Sequence, residues 1–361
     1  MQNTKITLIA EAGVNHNGDL QKALALVDAA ADGGADLIKF QTFSAKSMVT
    51  KSAALADYQA QQIGPGKSQL DMLLDLELDE AAHHKLIVKC QSRGIGFLST
   101  PFDLVSLDLL TNRLQQRLLK IGSGDLNNGP LLYAAAQTGC DIILSTGMSD
   151  LGEIERALGL LALGYSSTPP TAPRRQDMNM AWSDASLRAA LHEKVTILHC
   201  VSNYPSSAGA TNLRALGTIH SAFGLPVGYS DHTLGGTAAI AAAALGACCI
   251  EKHLTLDKTL QGPDHAASSE PDELALIFAA IRDVETMLGS GVKCCMPEER
   301  GTAKAARKRL VAGQDIAKGA PFTLDNLTTK RAISGADPLA YWEQLGKVAA
   351  REYSEGDPID D

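Results

Sequence analysis

Aromatic residues are scarce in this chain: Phe, Trp and Tyr make up only 4% of its 361 residues. That scarcity argues against an aromatic-rich binding sandwich, whereas abundant Ala and 32 Gly suit close packing of helices on strands. Positive charge is also short. The 32 Lys and Arg face 41 Asp and Glu, a formal net charge of -9. A nucleic-acid surface needs a dense basic face, so no nucleic-acid partner is expected. An anionic small substrate would have to be met by local Lys or Arg. No stretch approaches the roughly 20 apolar residues of a membrane helix. The short apolar run Ile6 to Ala10 lacks the layout of a signal peptide, so no membrane association is expected. The seven cysteines, at 90, 140, 200, 248, 249, 294 and 295, are odd in number and form no metal-type CxxC pair. Scattered thiols of this kind fit a reducing compartment, and the expected location is cytoplasmic.

At 361 residues the chain exceeds what one hydrophobic core usually organises, so two domains are expected. Short β-rich runs alternate along it with amphipathic stretches. The strand windows are 6–12, 35–42, 94–101, 117–123, 141–146, 195–202, 226–231 and 248–254. Helical patterns follow them at about 19–33, 79–93, 104–113, 129–139, 150–163, 212–223, 235–246 and 270–289. The strand windows read as nearly continuous apolar runs, as parallel strands covered on both faces do. Eight repeats of strand then helix predict an α/β fold, a closed (β/α)8 TIM barrel; an open doubly wound sheet is the alternative.

Two connections are unusually long. Residues 43–78 fall between the second strand and its helix, on the C-terminal face, where they could cover a site. Residues 165–194 fall on the opposite face, where a stability or contact role is expected. The expected organisation is a catalytic barrel over 1–290, a linker over 291–306 and a small β-rich domain over 307–361. In the last, DIAKGAPFTLDNL (315–327) is loosely echoed by EYSEGDPID (352–360), which suggests two similar hairpins. So short a segment is small for an independent core and is expected to lean on the barrel or on a second subunit.

Chemistry in such a barrel sits at the C-terminal ends of the strands. Ionisable and hydroxyl residues collect there: Glu11, Lys39, Gln41, Ser99, Thr100, Lys120, Ser123, Asp125, Ser145, Thr146, Ser202, Asn203, Tyr204, Ser230, Asp231, His232, Glu251 and His253. A charge inside an apolar run is costly to bury unless it is paired, so the set points to a site rather than to isolated rim residues. His232 and His253 end neighbouring strands and could share one divalent cation, Mn2+, Mg2+, Co2+ or Zn2+. Glu11, at the closure of the barrel, belongs to the same arc. Lys39 and Lys120, with the hydroxyls of Ser123, Ser145 and Ser230, could hold a phosphate and a carboxylate. GSGD (122–125) is no GxGxxG fingerprint, and a dinucleotide has little support. His83, His84, His192 and His220 are expected to be solvated, and His199 to pack in the core.

The runs IAEAGVNHNGD (9–19), IKFQTF (38–43), STPFD (99–103), KIGSGDLNNGPLL (120–132), LSTGM (144–148), HCVSNYP (199–205), GYSDHT (228–233) and EKHLTLDKTLQGPDHAAS (251–268) resemble the sialic acid synthase family. The likeness spans nearly the whole chain, and the tail after about 305 is similar to that family's small antifreeze-like (SAF) domain. The resemblance implies a cytoplasmic transferase that condenses phosphoenolpyruvate with N-acetylmannosamine or a related N-acetylated amino sugar. The products would be a nine-carbon 2-keto-3-deoxy sugar acid and phosphate, and the cofactor a divalent metal, typically Mn2+. It places His232 and His253 as metal ligands. Lys39, Lys120, Ser123, Ser145, Ser202 and Ser230 would surround phosphoenolpyruvate, and Gln41, Tyr204 and Asp264 would line the substrate pocket. Asp125 takes the position of a catalytic carboxylate that many bacterial members carry as Glu. Arg331 matches an SAF-domain Arg that reaches the partner's active site in a domain-swapped homodimer, although Ala-Ile-Ser-Gly here replaces the usual Pro-Gly after it.

N-acetylmannosamine is the first expectation for the sugar. A 2,4-diacetamido-2,4,6-trideoxymannose, leading to legionaminic acid, is the alternative. Glu11 and Asp125 are candidate bases or positioners for the water that the reaction consumes. Two rivals stand beside this reading. One is a Schiff-base aldolase using Lys39 or Lys120 as the amine nucleophile; the other is a non-catalytic sugar-binding protein.

Overall fold

A computed structural model describes residues 5–50, 53 and 68–360. The chain divides into two compact units, Met1–Ser290 and Gly291–Asp361. The first is built on eight parallel strands: β1 (Thr7–Gly13), β2 (Leu37–Thr42), β3 (Gly96–Pro101), β4 (Leu118–Ile121), β5 (Asp141–Ser145), β6 (Val195–Cys200), β7 (Val227–Asp231) and β8 (Cys249–His253). They pair in the order β3-β2-β1-β8-β7-β6-β5-β4. Because β1 pairs with both β2 and β8, the sheet turns back on itself. β3 and β4 come to lie side by side with no ladder between them. This is the expected (β/α)8 barrel, closed except for that seam.

A helix follows each strand: Leu20–Asp32, Glu80–Arg93, Leu104–Asp108, Gly129–Gln137, Leu151–Gly164, Ala215–Phe223, Thr237–Ala244 and Pro271–Leu288. Local sequence sets their starts. The side chains of Asp19, Asp79, Asp103, Asn128 and Asp150 accept from backbone N–H groups of the first turn, as N-caps do. Gly94, at φ 71°, stops the second of these helices in the left-handed region that glycine tolerates best.

Alternation along each strand divides the core in two. Leu8 and Ala10 face outward into the large cluster beneath the helices. Ile9 faces inward and packs with Leu98, Ile143, Leu198 and Cys249 at the bottom of the barrel. The same period of two places Glu11, Lys39, Lys120, Glu251 and His253 on the inner face, one layer above these apolar residues. In register, Glu11 lies beside Lys39 on one flank and His253 on the other.

The long segment after β2 contains two described helices, Ala45–Met48 and Gln69–Leu76, and residues 51–52 and 54–67 of it lie outside the described residues. The segment 165–194, read from sequence as a connection, holds helices Arg175–Ala181 and Ala185–Lys194. It ends where β6 begins, at the N-terminal end of the strands.

In the second unit, residues 291–306 include a short helix, Arg300–Ala306. β9 (Lys308–Ala312) pairs antiparallel with β10 (Leu327–Arg331). The two echoing segments do not form separate hairpins; they bridge to each other at Ile316 and Tyr353, and Pro321 bridges to Val348, just before the second. The unit also encloses a core of its own, including Leu310, Ile316, Phe322, Leu327, Tyr353 and Ile359. Pairing across the sequence brings apolar residues from both repeats together, which separate hairpins would leave exposed. Among the described residues no helix is long and apolar enough to cross a membrane.

Candidate active site

A cavity of about 460 Å³ opens at the C-terminal ends of the strands. Glu11, Lys39, Gln41, Lys120, Ser123, Ser145, Ser202, Tyr204, Ser230, His232, His253 and Asp264 all line it. Every barrel strand, or the loop that follows it, thus brings at least one residue expected from sequence to a common rim, Thr100 in the case of β3. Of the residues given a site role from sequence, Asp125 and Arg331 do not join them. Asp125 sits on the short turn Ser123–Asp125 and accepts a hydrogen bond from Asn128 Nδ2 at 2.9 Å, outside the lining set. Arg331 ends β10 in the second unit and is exposed. Asp231, read from sequence as a rim residue, turns outward. It is fully buried beneath the barrel surface and pairs with Lys252 at 2.9 Å.

The floor of the cavity is a chain of buried charges. Lys39 Nζ lies 2.6 Å from Glu11 Oε2 and 3.7 Å from Glu251 Oε2. Lys120 Nζ lies 3.4 Å from Glu251 Oε1, which also accepts from Ser230 Oγ at 2.7 Å. Burial works against the ammonium of Lys39, but Glu11 and Glu251 outweigh it and hold its pKa above the usual lysine range. The two carboxylates part company. Burial, with Glu251 as a like charge nearby, raises Glu11 to about 7 despite the pull of Lys39. For Glu251, burial is outweighed by Lys120 and Lys39, which lower it to about 2. Asp264 is raised by burial to about 6, with Lys39 pulling the other way. Glu251 was read from sequence as one of the strand-end residues, with no role assigned to it. The signal for it was present: it stands two positions before His253, hence on the same strand face.

Hydroxyls cluster opposite the lysines. Gly147 N donates to Ser123 Oγ at 2.9 Å. A Cβ on Gly147 would fall 2.2 Å from Ser202 Oγ, so glycine is what leaves the two serines room. His232 and His253 lie with ring centroids 5.4 Å apart, and Tyr204 packs on His232 at 4.2 Å. Burial lowers the pKa of both imidazoles, well below the ordinary value for His253, which also faces His232 and Lys39.

The donor set fits a divalent cation. His232 Nδ1 donates to Val201 O at 2.7 Å, which leaves the lone pair on Nε2, 3.3 Å from Ser230 Oγ, whose hydroxyl donates to Glu251. His253 Nδ1 is buried with no hydrogen-bond partner. Neutral imidazoles are the metal-binding form. Among the described residues no group of three or more His, Cys, Asp and Glu could hold a metal. His232 and His253 would supply such a cation with two protein donors, fewer than the four of a closed structural site.

Of the other histidines, His83 departs from the sequence reading. It is fully buried, bonded to Thr42 Oγ1 and Asp79 O, both at 2.8 Å. His199 is half-buried and bonded to Thr211 O.

Known proteins bear on this arrangement. The chain is 45% identical to an N,N'-diacetyllegionaminic acid synthase of Campylobacter jejuni subsp. jejuni serotype O:2, over 98% of this chain and 99% of that one. It is 40% identical to the synthase of the same name from Legionella pneumophila, over 97% and 92%. Among solved structures, an N-acetylneuraminic acid (sialic acid) synthetase from Leptospira borgpetersenii shares 33% identity with a TM-score of 0.67, covering 83% of this chain and 90% of that one. The SAF domain model matches residues 307–361. The NeuB family model matches residues 26–293, which carry the paired histidines, both floor lysines and the serines around them: the chain belongs to the NeuB family.

Proposed function

We propose that the protein condenses phosphoenolpyruvate with a 2,4-diacetamido-2,4,6-trideoxymannose to give N,N'-diacetyllegionaminic acid and phosphate. Two relatives at 45% and 40% identity that carry this product in their names support that sugar over N-acetylmannosamine, the first expectation from sequence. The sialic acid synthetase structure stands further off, at 33%. The observation that carries the chemistry is the pairing of two lysines with two carboxylates of opposed pKa beside two neutral imidazoles.

Lys39 and Lys120, with Ser123, Ser145 and Ser230, hold the carboxylate and phosphate of the enol phosphate as fixed donors. His232 and His253 would hold a divalent cation, Mn2+ first among the candidates, which when bound polarises the sugar aldehyde as a Lewis acid. C3 of the enol phosphate bonds to the aldehyde carbon, and water adds to C2. Glu11, poised near neutrality, takes the proton of that water. The new alkoxide at the former aldehyde carbon takes up one proton, matching the one that the water gives up. As the C2–O bond to phosphate breaks, the C2 hydroxyl becomes the ketone and its proton leaves with the phosphate, while the two lysines stabilise the departing charge; one such preorganised contact is worth about 3–4 kcal/mol. Asp264, raised to about 6, is placed to hydrogen-bond the sugar. A Schiff-base route has less support, because Lys39 is held in its charged, non-nucleophilic form by two carboxylates.

The test is phosphate release by the purified protein from phosphoenolpyruvate, with each sugar, with Mn2+ and after chelation. Release that needs both the diacetamido sugar and Mn2+ is the expected result. No release with either sugar, or sugar binding without release, would overturn the proposal.

A further inference from the structure

The cavity has two chemistries, and only one is used by the reaction. Opposite the charged floor stands a wall of Val14, Met48, Met72, Leu73, Leu76 and Phe102. It comes from the end of β1, the two helices after β2 and the end of β3. The wall has its own apolar cluster, in which Val14, Met72, Leu73 and Leu76 are buried and Met48 and Phe102 pack against them. It is also held in place by polar ties. Ser44 N donates to Asp103 Oδ2 at 2.8 Å, and Ala45 N to Glu77 Oε1 at 3.2 Å. Ser68 and Asp71 form a reciprocal cap that starts the helix Gln69–Leu76.

We infer that this wall determines the choice of sugar, favouring one whose far end carries methyl groups over one that carries hydroxyls there. The inference rests on the proposed function and deepens it. With the carboxylate and phosphate on the lysines and the aldehyde at the histidines, the lining left for the rest of the sugar is polar at Gln41, Thr100, Tyr204 and Asp264 and apolar chiefly at the wall. The diacetamido sugar presents a C6 methyl and the methyl of its C4 acetamido group. N-acetylmannosamine presents hydroxyls at both positions, and each would lose water without gaining a partner on an apolar surface. Gln69, also in the lining, offers an amide to match the second acetamido group. A hydrophobic pocket discriminates by about 10- to 200-fold per methyl group, and by about 100-fold against an added hydroxyl.

The experiment compares kcat/KM for the two sugars in wild type, Met72→Gln, Met72→Leu and Leu74→Gln. Leu74 is 43% exposed on the same helix and does not line the cavity. Wild type is expected to favour the diacetamido sugar by about 100-fold. Met72→Gln is expected to lower that ratio about tenfold or more, with the KM for phosphoenolpyruvate unmoved, while Met72→Leu and Leu74→Gln keep it. If Met72→Gln does not fold, Met48→Gln, at a half-buried position, takes its place under the same criterion. A folded wall variant with an unchanged ratio overturns the inference and leaves the proposed function standing. Wild type that turns over neither sugar, or prefers N-acetylmannosamine, overturns the proposed function and the inference with it.

Discussion

Replacing Lys252 with Met tests whether a buried ion pair holds β7 against β8. Lys252 and Asp231 are 1% and 0% exposed, and their charged atoms are 2.9 Å apart. The ammonium also donates to Thr233 O at 2.5 Å. Asp231 Oδ1 accepts from Thr233 N at 2.9 Å and Thr233 Oγ1 at 2.8 Å. The pair is therefore fully partnered, and the two residues face each other across the ladder. Met fills most of the volume of the lysine stem but leaves the Asp231 carboxylate buried without a countercharge. Breaking one side of such a pair costs about 3–5 kcal/mol. At about 2–4 °C per kcal/mol for a domain of this order of size, melting falls by about 6–20 °C. The double variant Lys252→Met with Asp231→Leu removes both charges, and apolar replacement of a buried pair is often neutral, so it recovers most of the loss. Thermal melts followed by circular dichroism decide the matter. A single variant melting within about 2 °C of wild type, below the cost expected for an unpaired buried charge, would refute the reasoning.

Three other outcomes follow from the site and its surroundings. His232→Ala abolishes Mn2+-dependent phosphate release while the melt is retained; chelator-insensitive turnover in that variant would contradict a metal role. Acid stability reports the buried histidines outside that pair. Burial lowers His16 and His265 to about 4 and also lowers His83, so below pH 6.5 the unfolded chain binds protons that the folded one refuses. The stability they contribute is present above 6.5 and is lost as pH falls toward 4. Glu11 and Asp264, with raised pKa values, act in the opposite sense over the same range. Isolating one histidine is therefore the clean check: His265→Gln should show a shallower fall in denaturant midpoint than wild type between pH 6.5 and 4.5, and parallel curves would count against it. Arg331→Ala is expected to raise the KM for the sugar with the melt unchanged, and unaltered kinetics would exclude a part for Arg331 in sugar use.

The barrel was legible because its strands are apolar on both faces, and a run such as Leu8-Ile9-Ala10 admits few other readings. The paired histidines were legible for a related reason, since adjacency of β7 and β8 follows once the barrel is assumed. Residues 175–194 were not legible as helices. Their helical stretches bury little, Ala181 in one and Leu191 in the other, so no stripe marks them. His83 was misread as solvated although it shares a helical stripe with Leu86 and Cys90, both buried. Asp231 was misread because a charge at a strand end resembles a rim residue. The parity of the strand, which sends Ser230 and His232 inward and Asp231 outward, is what separates them. Asp125, which the resemblance places as a catalytic carboxylate, has that carboxylate bonded to Asn128 on its own turn, a local contact that the motif does not foretell.

Alternating charge in β8 has a consequence for how the protein can change. Glu251 and His253 face the cavity while Lys252 lies under the helices against Asp231. Sliding the strand by a single position would push the ammonium into the cavity and strand a carboxylate and an imidazole beneath apolar helices. No half-working alignment exists for such a strand. Length variation in this protein is thereby confined to its loops, and the stretch after β2, which supplies much of the wall, is where a new sugar preference can arise without disturbing the charged floor.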